Sequence, residues 1–437
     1  MNKKIAGNIS WIIGGKLINM LLQFIVSLAT ARYLGPSNLG IINYVAAYVS
    51  FFSSIASLGL AVVDIKEIAE GEKNANDVVW TSIWMRLAVA VLSSMCIILL
   101  MYFTNKDNDL IIIIALLQSI SIVFSAFDTI NYYFEAKLLA KWESIAGIIS
   151  YCGMSIFRII LLIKNANIFW FAFATSVDMI ILTIALFVFY IKQEGFSPCF
   201  NVELGKALFQ QSYHYMIAGL ITIIYSQIDK VMLANMVDET AVGLYTAALT
   251  VSTSWSVVSS ALTRSISPIL YKKAKQDRQL YLRRMRQSYA IVFWLNAAIA
   301  IVCTIFAKEI ILILFGREYV NATGALKIVA WYYGISSMSA LNQVYLANSN
   351  QGHYINKFCL GGLIVDISLN LILIPSFGIE GAAIATLITQ ITIQIIMPLM
   401  FRETREITKL IVGGIFLKDV VNKKEWERIK KVKLNGN

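Results

Sequence analysis

The stretch LIIIIALLQSISIVFSAF, residues 110–127, decides the fold of this chain. It contains no charged side chain, and a helix of about 20 apolar residues crosses the roughly 30 Å of hydrocarbon in a bilayer. About a dozen runs of similar character follow one another, separated by short polar breaks. Because the bilayer offers no water to satisfy peptide groups, each run must be helical. The sequence therefore predicts an all-α polytopic membrane protein.

The composition agrees with a membrane protein. Hydrophobic residues make up 58% of the chain and charged residues 14%, whereas an average soluble domain has about 25% charged residues. The five cysteines lie mostly inside or beside apolar runs, without the spacing of disulfide partners or metal ligands. We therefore expect packing cysteines, no metal and no other cofactor.

The hydrophobic pattern predicts about 12 transmembrane helices in sequence order. They cover residues 8–31, 39–64, 79–104, 110–134, 144–164, 167–191, 211–236, 241–271, 287–315, 321–346, 354–374 and 379–401. An even number of spans places both termini on the same side of the membrane.

Basic residues predict which side that is. Most of the 37 Lys and Arg residues fall on the side of the termini, above all in the loop at 272–286 and in the tail after residue 401. The positive-inside rule therefore predicts cytoplasmic termini. The formal net charge of +11 then reflects topology and attraction to anionic membrane lipids. It does not indicate a nucleic acid, which would require a folded basic module with stacking aromatics.

Two weak internal echoes predict a repeat of six helices. Residues 8–40 match residues 211–243 in order, and each stretch contains a long helix, a tight exoplasmic turn and a glycine that opens the next helix. A second echo pairs residues 171–175 with 382–386. Six helices per repeat give both halves the same orientation, so the pseudo-two-fold axis lies along the membrane normal.

The echoes divide the chain into four predicted parts. These are an N-terminal six-helix lobe at 1–192, a cytoplasmic interfacial linker at 193–210, a C-terminal six-helix lobe at 211–401 and a basic cytoplasmic tail at 402–437. Gly195, Pro198 and Gly205 interrupt the linker, which reads equally well as an ordinary connecting loop. A connection that bends would suit two lobes that rock about a substrate site between them.

Three motifs resemble those of one family. RYLGPSNLG at 32–40 is similar to the RYLGPxxxG turn after the first helix of polysaccharide-transport flippases. DKVML at 229–233 with VGLYTAA at 242–248 resembles that family's seventh and eighth helices. NLILIPSFGIEGAAIAT at 370–386 resembles the element between its last two spans. These flippases belong to the multidrug, oligosaccharidyl-lipid and polysaccharide exporter superfamily.

The resemblance implies a function. It implies that the chain moves an undecaprenyl-diphosphate-linked oligosaccharide from the inner to the outer leaflet of a bacterial inner membrane. The translocated oligosaccharide would be used to assemble the O antigen of lipopolysaccharide, a capsule or an exopolysaccharide. The implied partners are this polyprenyl-diphosphate-linked glycan, membrane lipids and a polysaccharide polymerase. Family members often carry a basic residue near position 64, where this chain has Asp64, so no role is transferred to that position.

Basic side chains within the spans fit an anionic diphosphate. Inserting an ionisable side chain into the middle of a span costs about 2.5–3.5 kcal/mol, so a residue of this kind is a functional candidate. The candidates for substrate binding are Lys16, Arg86 and Arg264 in the cytoplasmic half and Arg158, Lys230 and Lys327 in the outer half. Such cations could bind the diphosphate through charge-assisted hydrogen bonds. Each also lies about two turns from a span end and could reach the headgroups instead, so which of them face the lumen stays open.

Acidic residues in the spans are sparser. Asp229 is the candidate for ion coupling with H⁺ or Na⁺, because burial raises the pKa of a carboxylate and permits exchange. The alternative is a charge that offsets a nearby cation. Asp64, Lys66 and Glu67 are expected at the wet inner end of the second helix.

The sequence shows no sign of an enzyme. It contains no Walker loop or nucleophile elbow, and its two histidines lie far apart. A multidrug or cation antiporter of the same superfamily is the nearer alternative, although it would favour an acidic lumen. A membrane polysaccharide polymerase or ligase would need a large exoplasmic catalytic loop, and the predicted outer loops are short.

Overall fold

A computed structural model describes residues 3–71, 74–106, 108–274 and 276–417, with side chains from residue 24 onward except at 140 and 257. Every regular element in these ranges is helical. The prediction of an all-α chain is therefore confirmed. The chain divides after Gly243 into two compact units, here called the first and the second unit.

The first unit contains eight α-helices and the start of a ninth. They are α1 (Lys3–Ala56), α2 (Leu60–Glu70), α3 (Ala75–Thr104), α4 (Asp109–Ser125), α5 (Thr129–Ala136), α6 (Ala140–Ile163), α7 (Ile168–Glu194) and α8 (Val202–Met236). A short 3₁₀ turn, Ala126–Asp128, joins α4 to α5.

The second unit begins within α9. Its helices are α9 (Glu239–Ser254), α10 (Ser256–Ala274), α11 (Arg278–Ile305), α12 (Ala307–Leu314), α13 (Ala322–Ser336), α14 (Ser339–Asn348), α15 (Tyr354–Ile391), α16 (Met397–Met400) and α17 (Arg405–Ile415). A π-helical segment, Thr392–Ile396, links α15 to α16.

All of the predicted spans fall on helices. In the described part of the chain, eight helices are long and apolar enough to cross a membrane, or nine if one bent pair counts as a span. Two of these run over 47 residues each. Tyr354–Met400 covers the last two predicted spans, and Phe24–Glu70 covers the second predicted span and the end of the first. Others are divided by short breaks, as between α13 and α14. The membrane-spanning character is thus observed, while the number of 12 stays a prediction.

Glycines break the two longest helices where the sequence predicts turns. Gly35 has φ 72° within α1, and Gly378 has φ 54° within α15. Left-handed backbone of this kind favours glycine, which has no Cβ to clash. Pro36 follows the first break and Pro375 precedes the second, and a proline removes a helical hydrogen bond.

The two halves of the first echo meet within the first unit. A Cβ atom at Gly40 would collide with the carbonyl oxygen of Glu239, and one at Gly243 would collide with that of Pro36. The glycine that follows each turn therefore admits the backbone of the other turn. This reciprocal contact gives a physical reason for the repeated glycine.

The linker is shorter than predicted and is fixed to α3. Asn76 donates from Nδ2 to the Ser197 carbonyl at 2.9 Å, and the rings of Trp80 and Phe196 lie 5.4 Å apart. Asn201 caps α8, so residues 202–210 already belong to that helix. Because α8 packs along α1 and α2, the first unit extends beyond the predicted linker. The division into lobes at 193–210 stays a prediction.

Part of the predicted tail is a folded helix. Ile407, Leu410 and Ile411 of α17 are fully buried or nearly so, and α17 packs on α11. Their spacing of three and four residues forms one apolar stripe along the helix. Residues 405–415 of the predicted basic tail therefore form a helix that packs on the second unit, and residues 418–437 lie outside the described ranges.

The core of the first unit holds four of its helices around the polar residues described next. Leu60 of α2, Val79 of α3, Phe134 of α5 and Tyr190 of α7 are buried in one apolar cluster. Because lipid tails are as apolar as these side chains, their contribution within a membrane comes from close packing rather than from removal from water. The helices that carry the charged side chains are thereby fixed relative to one another.

Candidate functional site

Arg86 of α3 lies in the interior of the first unit, with 2% of its surface exposed. Its Nη2 donates to the Ser125 carbonyl at 2.7 Å, and its Nη1 donates to Thr129 Oγ1 at 3.2 Å. Asp128 Oδ2 lies 3.6 Å from Nη2. The 3₁₀ turn between α4 and α5 presents these acceptors, so Arg86 ties α3 to that turn.

Two carboxylates of α2 are buried near Arg86. Asp64 is fully buried and accepts a hydrogen bond from the Ser82 hydroxyl at 2.9 Å. Glu67 is 7% exposed and accepts from Gln211 Nε2 at 3.2 Å. The expectation that both lie at the wet end of the helix is therefore wrong.

Helical spacing explains the burial of these two carboxylates. Asp64 and Glu67 are three residues apart, on the same face as the buried Leu60 and Val63. Lys66 points away from this face and is exposed, as expected. We call Asp64, Glu67, Arg86 and Asp128 the buried charge cluster.

The buried charge cluster has one cation for three carboxyl groups. The ring of Tyr132 also faces Arg86, whose guanidinium carbon lies 5.6 Å from the ring centroid. A buried guanidinium needs acceptors for most of its five donors. Within the cluster, Arg86 Nε and Asp64 Oδ2 are buried without a hydrogen-bond partner in the described structure. The cluster can hold a charge in the interior but offers few free donors to a ligand.

Arg158 of α6 has a different environment. It lines a cavity of about 270 Å³ together with Ser27, Tyr151 and Asp178. Asp178 of α7 accepts a hydrogen bond from the Ser150 hydroxyl. No hydrogen bond or ion pair holds Arg158 within the described residues. The carboxylate of Asp178 acts on the guanidinium electrostatically. The hydrogen-bond donors of Arg158 remain available to an anion that enters this cavity, which α1, α6 and α7 line.

Lys230 and Asp229 follow each other on α8. Asp229 is buried, whereas Lys230 is partly exposed. Adjacent residues of a helix point in different directions, so the burial of one does not require the burial of the other. Lys230 makes no hydrogen bond to the described protein.

The other predicted cations are not brought together. Arg264 of α10 and Lys327 of α13 are exposed on the second unit. The side chain of Lys16 lies outside the described side chains. Arg86, Arg158 and Lys230 are thus the predicted cations that the first unit places in its interior or beside a cavity.

Nearly all of the buried polar side chains described in the second unit are neutral. Tyr289 donates to Asn342 Oδ1 at 2.6 Å, and Asn342 Nδ2 donates to Gln394 Oε1 at 2.6 Å. Asn296 Nδ2 donates to Ser337 Oγ at 3.1 Å. These bonds join α11 to α13, α14 and the π-helical segment, which is the ordinary role of amides between membrane helices.

The sequence match extends over most of the chain. Residues 5–273 match the family described as "Polysaccharide biosynthesis protein". A "Putative O-antigen transporter" of Escherichia coli K12 is 21% identical over 398 residues, which cover 89% of this chain and 94% of that protein. A "Probable low-salt glycan biosynthesis flippase Agl15" of Haloferax volcanii is 25% identical over 185 residues, or 42% of this chain and 39% of that protein.

Solved structures share the fold. "Lipid II flippase MurJ, inward closed conformation" aligns with a TM-score of 0.70 and 14% identity, covering 97% of this chain and 95% of that one. An inward-facing multidrug resistance MATE family transporter of the MOP superfamily aligns with a TM-score of 0.66 and 13% identity, covering 96% of both chains. At these identities the likeness establishes the fold, and the prediction of a polytopic membrane protein is confirmed.

Proposed function

Because the chain belongs to the polysaccharide biosynthesis protein family, we propose that it translocates an undecaprenyl-diphosphate-linked oligosaccharide across the bacterial inner membrane. Membership confirms the family resemblance of the three motifs. The descriptions of the two relatives, an O-antigen transporter and a glycan biosynthesis flippase, support a carrier rather than an enzyme. Alternating access of a central site to each side of the membrane is the mechanism typical of such folds.

The observation that carries the proposal is the cation in the cavity of the first unit. Arg158 lines this cavity without a hydrogen-bond partner among the described residues. Arg158 is partly exposed, and the one charge in the cavity that acts on it is the carboxylate of Asp178. A diphosphate would supply hydrogen-bond acceptors for the planar guanidinium. Lys230, likewise without a hydrogen-bond partner there, is the second contact that we propose.

Arg86 has a positioning role in this proposal. Its guanidinium already donates to Ser125 and Thr129 and lies close to Asp128. It therefore fixes the arrangement of α3, α4 and α5 rather than the cargo. Arg264 and Lys327 are exposed, and we assign them to lipid headgroups, which long basic side chains reach from a span.

Ion coupling is the least direct part of the proposal. Asp229 is buried on the helix that also carries Lys230. A carboxyl group that binds H⁺ or Na⁺ in one conformation and releases it in another would link ion entry to export of the glycan. We keep Asp229 as the coupling residue, and H⁺ or Na⁺ as the coupling ion.

Deletion of the gene and reconstitution of the protein test the function together. We expect deleted cells to accumulate the lipid-linked repeat unit, identified by mass spectrometry, and proteoliposomes with the purified chain to translocate that same molecule. Unchanged lipid-linked pools, together with no translocation above protein-free vesicles, would contradict the proposal.

Orientation in the membrane needs a separate experiment. With cytoplasmic termini, a cysteine at Ser37 or Asp238 should react with an impermeant reagent in intact cells, whereas one at Lys273 should not. The reverse pattern would overturn the orientation that the positive-inside rule predicts.

A further inference from the structure

The second unit contains a cavity of about 180 Å³ between α10, α11, α13 and α14. All of the described residues that line it carry a hydroxyl or an amide, except Ala340, and none of them is charged. They are Ser256, Ser259, Ser260, Thr263, Asn296, Tyr333, Ser336, Ser337 and Ser339. We call this space the serine cavity.

Two helix breaks meet at the serine cavity. α9 ends at Ser254 and α10 begins at Ser256, while α13 ends at Ser336 and α14 begins at Ser339. Both breaks lie near the middle of predicted spans. Irregular backbone at membrane depth is tolerated where it is buried in protein or lines a cavity, and broken helices form substrate sites in transporters. The position of the cavity is therefore that of a binding site.

One wall of the cavity is a closed hydrogen-bond network. Ser259 donates to Asn296 Oδ1 at 3.0 Å, and Asn296 Nδ2 donates to Ser337 Oγ at 3.1 Å. Thr263 donates to the Ser259 carbonyl at 3.0 Å. Asn296, Ser259 and Thr263 are each at least 95% buried. These hydrogen bonds hold the side chains of this wall in place, so the wall does not require a ligand as a hydrogen-bond partner.

The other hydroxyls that line the cavity are different. Those of Ser256, Ser260, Tyr333, Ser336 and Ser339 make no hydrogen bond to the described protein. A hydroxyl can donate one hydrogen bond and accept two. The cavity therefore presents several donors and acceptors, in different directions, to whatever occupies it.

We propose that the serine cavity binds a sugar residue of the lipid-linked glycan, an assignment that rests on the proposed function. A sugar ring is neutral and carries hydroxyls around its edge, which match donors and acceptors that surround it. A phosphate would find no cation there, and an apolar group would leave the hydroxyls unpaired. The volume equals that of about six waters, which suits one ring rather than a whole oligosaccharide.

Binding of the free glycan tests the assignment apart from transport. The probe is the repeat-unit oligosaccharide released from its lipid diphosphate, titrated at millimolar concentration into the purified full-length protein and followed calorimetrically. Wild type should bind it. The double variant Ser260→Ala with Ser336→Ala should bind about tenfold more weakly, because two hydrogen bonds are lost. Ser265→Ala, on the exposed side of α10, should bind as wild type does.

A flux assay on wild type and the double variant distinguishes failure of the proposed function from failure of the serine-cavity assignment. If wild type does not translocate the lipid-linked repeat unit, the proposed function fails. If wild type translocates it but the double variant binds the free glycan with unchanged affinity, the serine cavity alone is refuted. Failure of wild type to bind the free glycan also refutes it.

Discussion

Among the described residues, the first unit buries four side chains of the charged types, Asp64, Glu67, Arg86 and Asp229. The second unit buries one, Asp366. The rest of the second unit's buried polar groups are amides and hydroxyls. In the proposed function, the diphosphate is assigned to Arg158 and Lys230 of the first unit, because a cation attracts an anion most strongly in a low dielectric. The sugar is assigned to the neutral groups of the serine cavity in the second unit, which discriminate by hydrogen-bond geometry.

Removal of Arg86 should have the largest effect. Arg86→Met leaves Asp128 and the Thr129 and Ser125 acceptors without their cation. Hydrogen bonds to a charged group contribute about 1.5–3 kcal/mol, and the ion pair with Asp128, whose side chain is 31% exposed, adds less than a fully buried pair would. We expect a clear drop in the melting temperature of the purified protein in detergent, with Lys327→Met as the exposed control. An unchanged melting temperature would show that the buried charge cluster does not hold α3 to the α4–α5 turn.

Removal of an amide from the second unit should cost less. Asn342→Ala deletes the acceptor of Tyr289 and the donor to Gln394. Neutral hydrogen-bond partners left buried cost about 1–3 kcal/mol. The same melting experiment should therefore give a smaller shift than Arg86→Met, and Gln343→Ala, exposed on the same helix, should give almost none. A larger loss for Asn342→Ala would reverse the comparison between the units.

Asp229→Asn tests whether the charged interior also couples transport to ions. We expect flux of the lipid-linked repeat unit to fall several-fold and to lose its response to an imposed pH or sodium gradient, because the amide cannot exchange an ion. Glu203→Gln, exposed near the start of α8, is the matched control. A gradient response equal to that of wild type would remove Asp229 from the coupling role.

Cys199 reports whether the linker belongs to the first unit. Burial and the neighbouring Asp77 raise the pKa of the Cys199 thiol to about 11. Only the thiolate is reactive, so the raised pKa keeps the thiol protonated, and alkylation slow, until the pH approaches that value. In a variant without the other cysteines, alkylation near pH 8 should be roughly tenfold slower than at Lys206→Cys.

Asp77→Asn should speed the alkylation of Cys199, because it removes the carboxylate that opposes the thiolate. If Cys199 reacts as fast as the exposed reference site, the linker is not held against α3 as the structure indicates. That outcome would favour an open connection between the predicted lobes.

The helices were predictable because the signals are local. Apolar length places the spans, and Gly35 and Gly378 mark the turns through their own backbone requirements. The start of α8 was missed because Gly205 was taken to interrupt the interfacial linker predicted at 193–210. The apolar stripe of α17 was missed because basic residues dominate the composition of the tail.

The site was predictable only in part because its contacts join distant residues. Charge in an apolar run identified Arg86, Arg158 and Lys230, but not that Arg86 would meet Asp64 and Asp128. The three-residue spacing of Asp64 and Glu67 on the face of Leu60 was a usable local signal. The serine cavity gave no such signal, since it forms where breaks about 80 residues apart come together.

Flux of the lipid-linked repeat unit for two matched double variants tests the central claim most directly. One removes the cations of the first unit, Arg158→Gln with Lys230→Gln. The other removes the exposed cations of the second unit, Arg264→Gln with Lys327→Gln. Hydrogen bonds to charged groups contribute about 1.5–3 kcal/mol. We therefore expect the first pair to reduce flux at matched abundance by about tenfold or more, and the second pair to leave it nearly unchanged. Equal losses, or a loss confined to the second pair, would contradict the assignment of the diphosphate to the first unit.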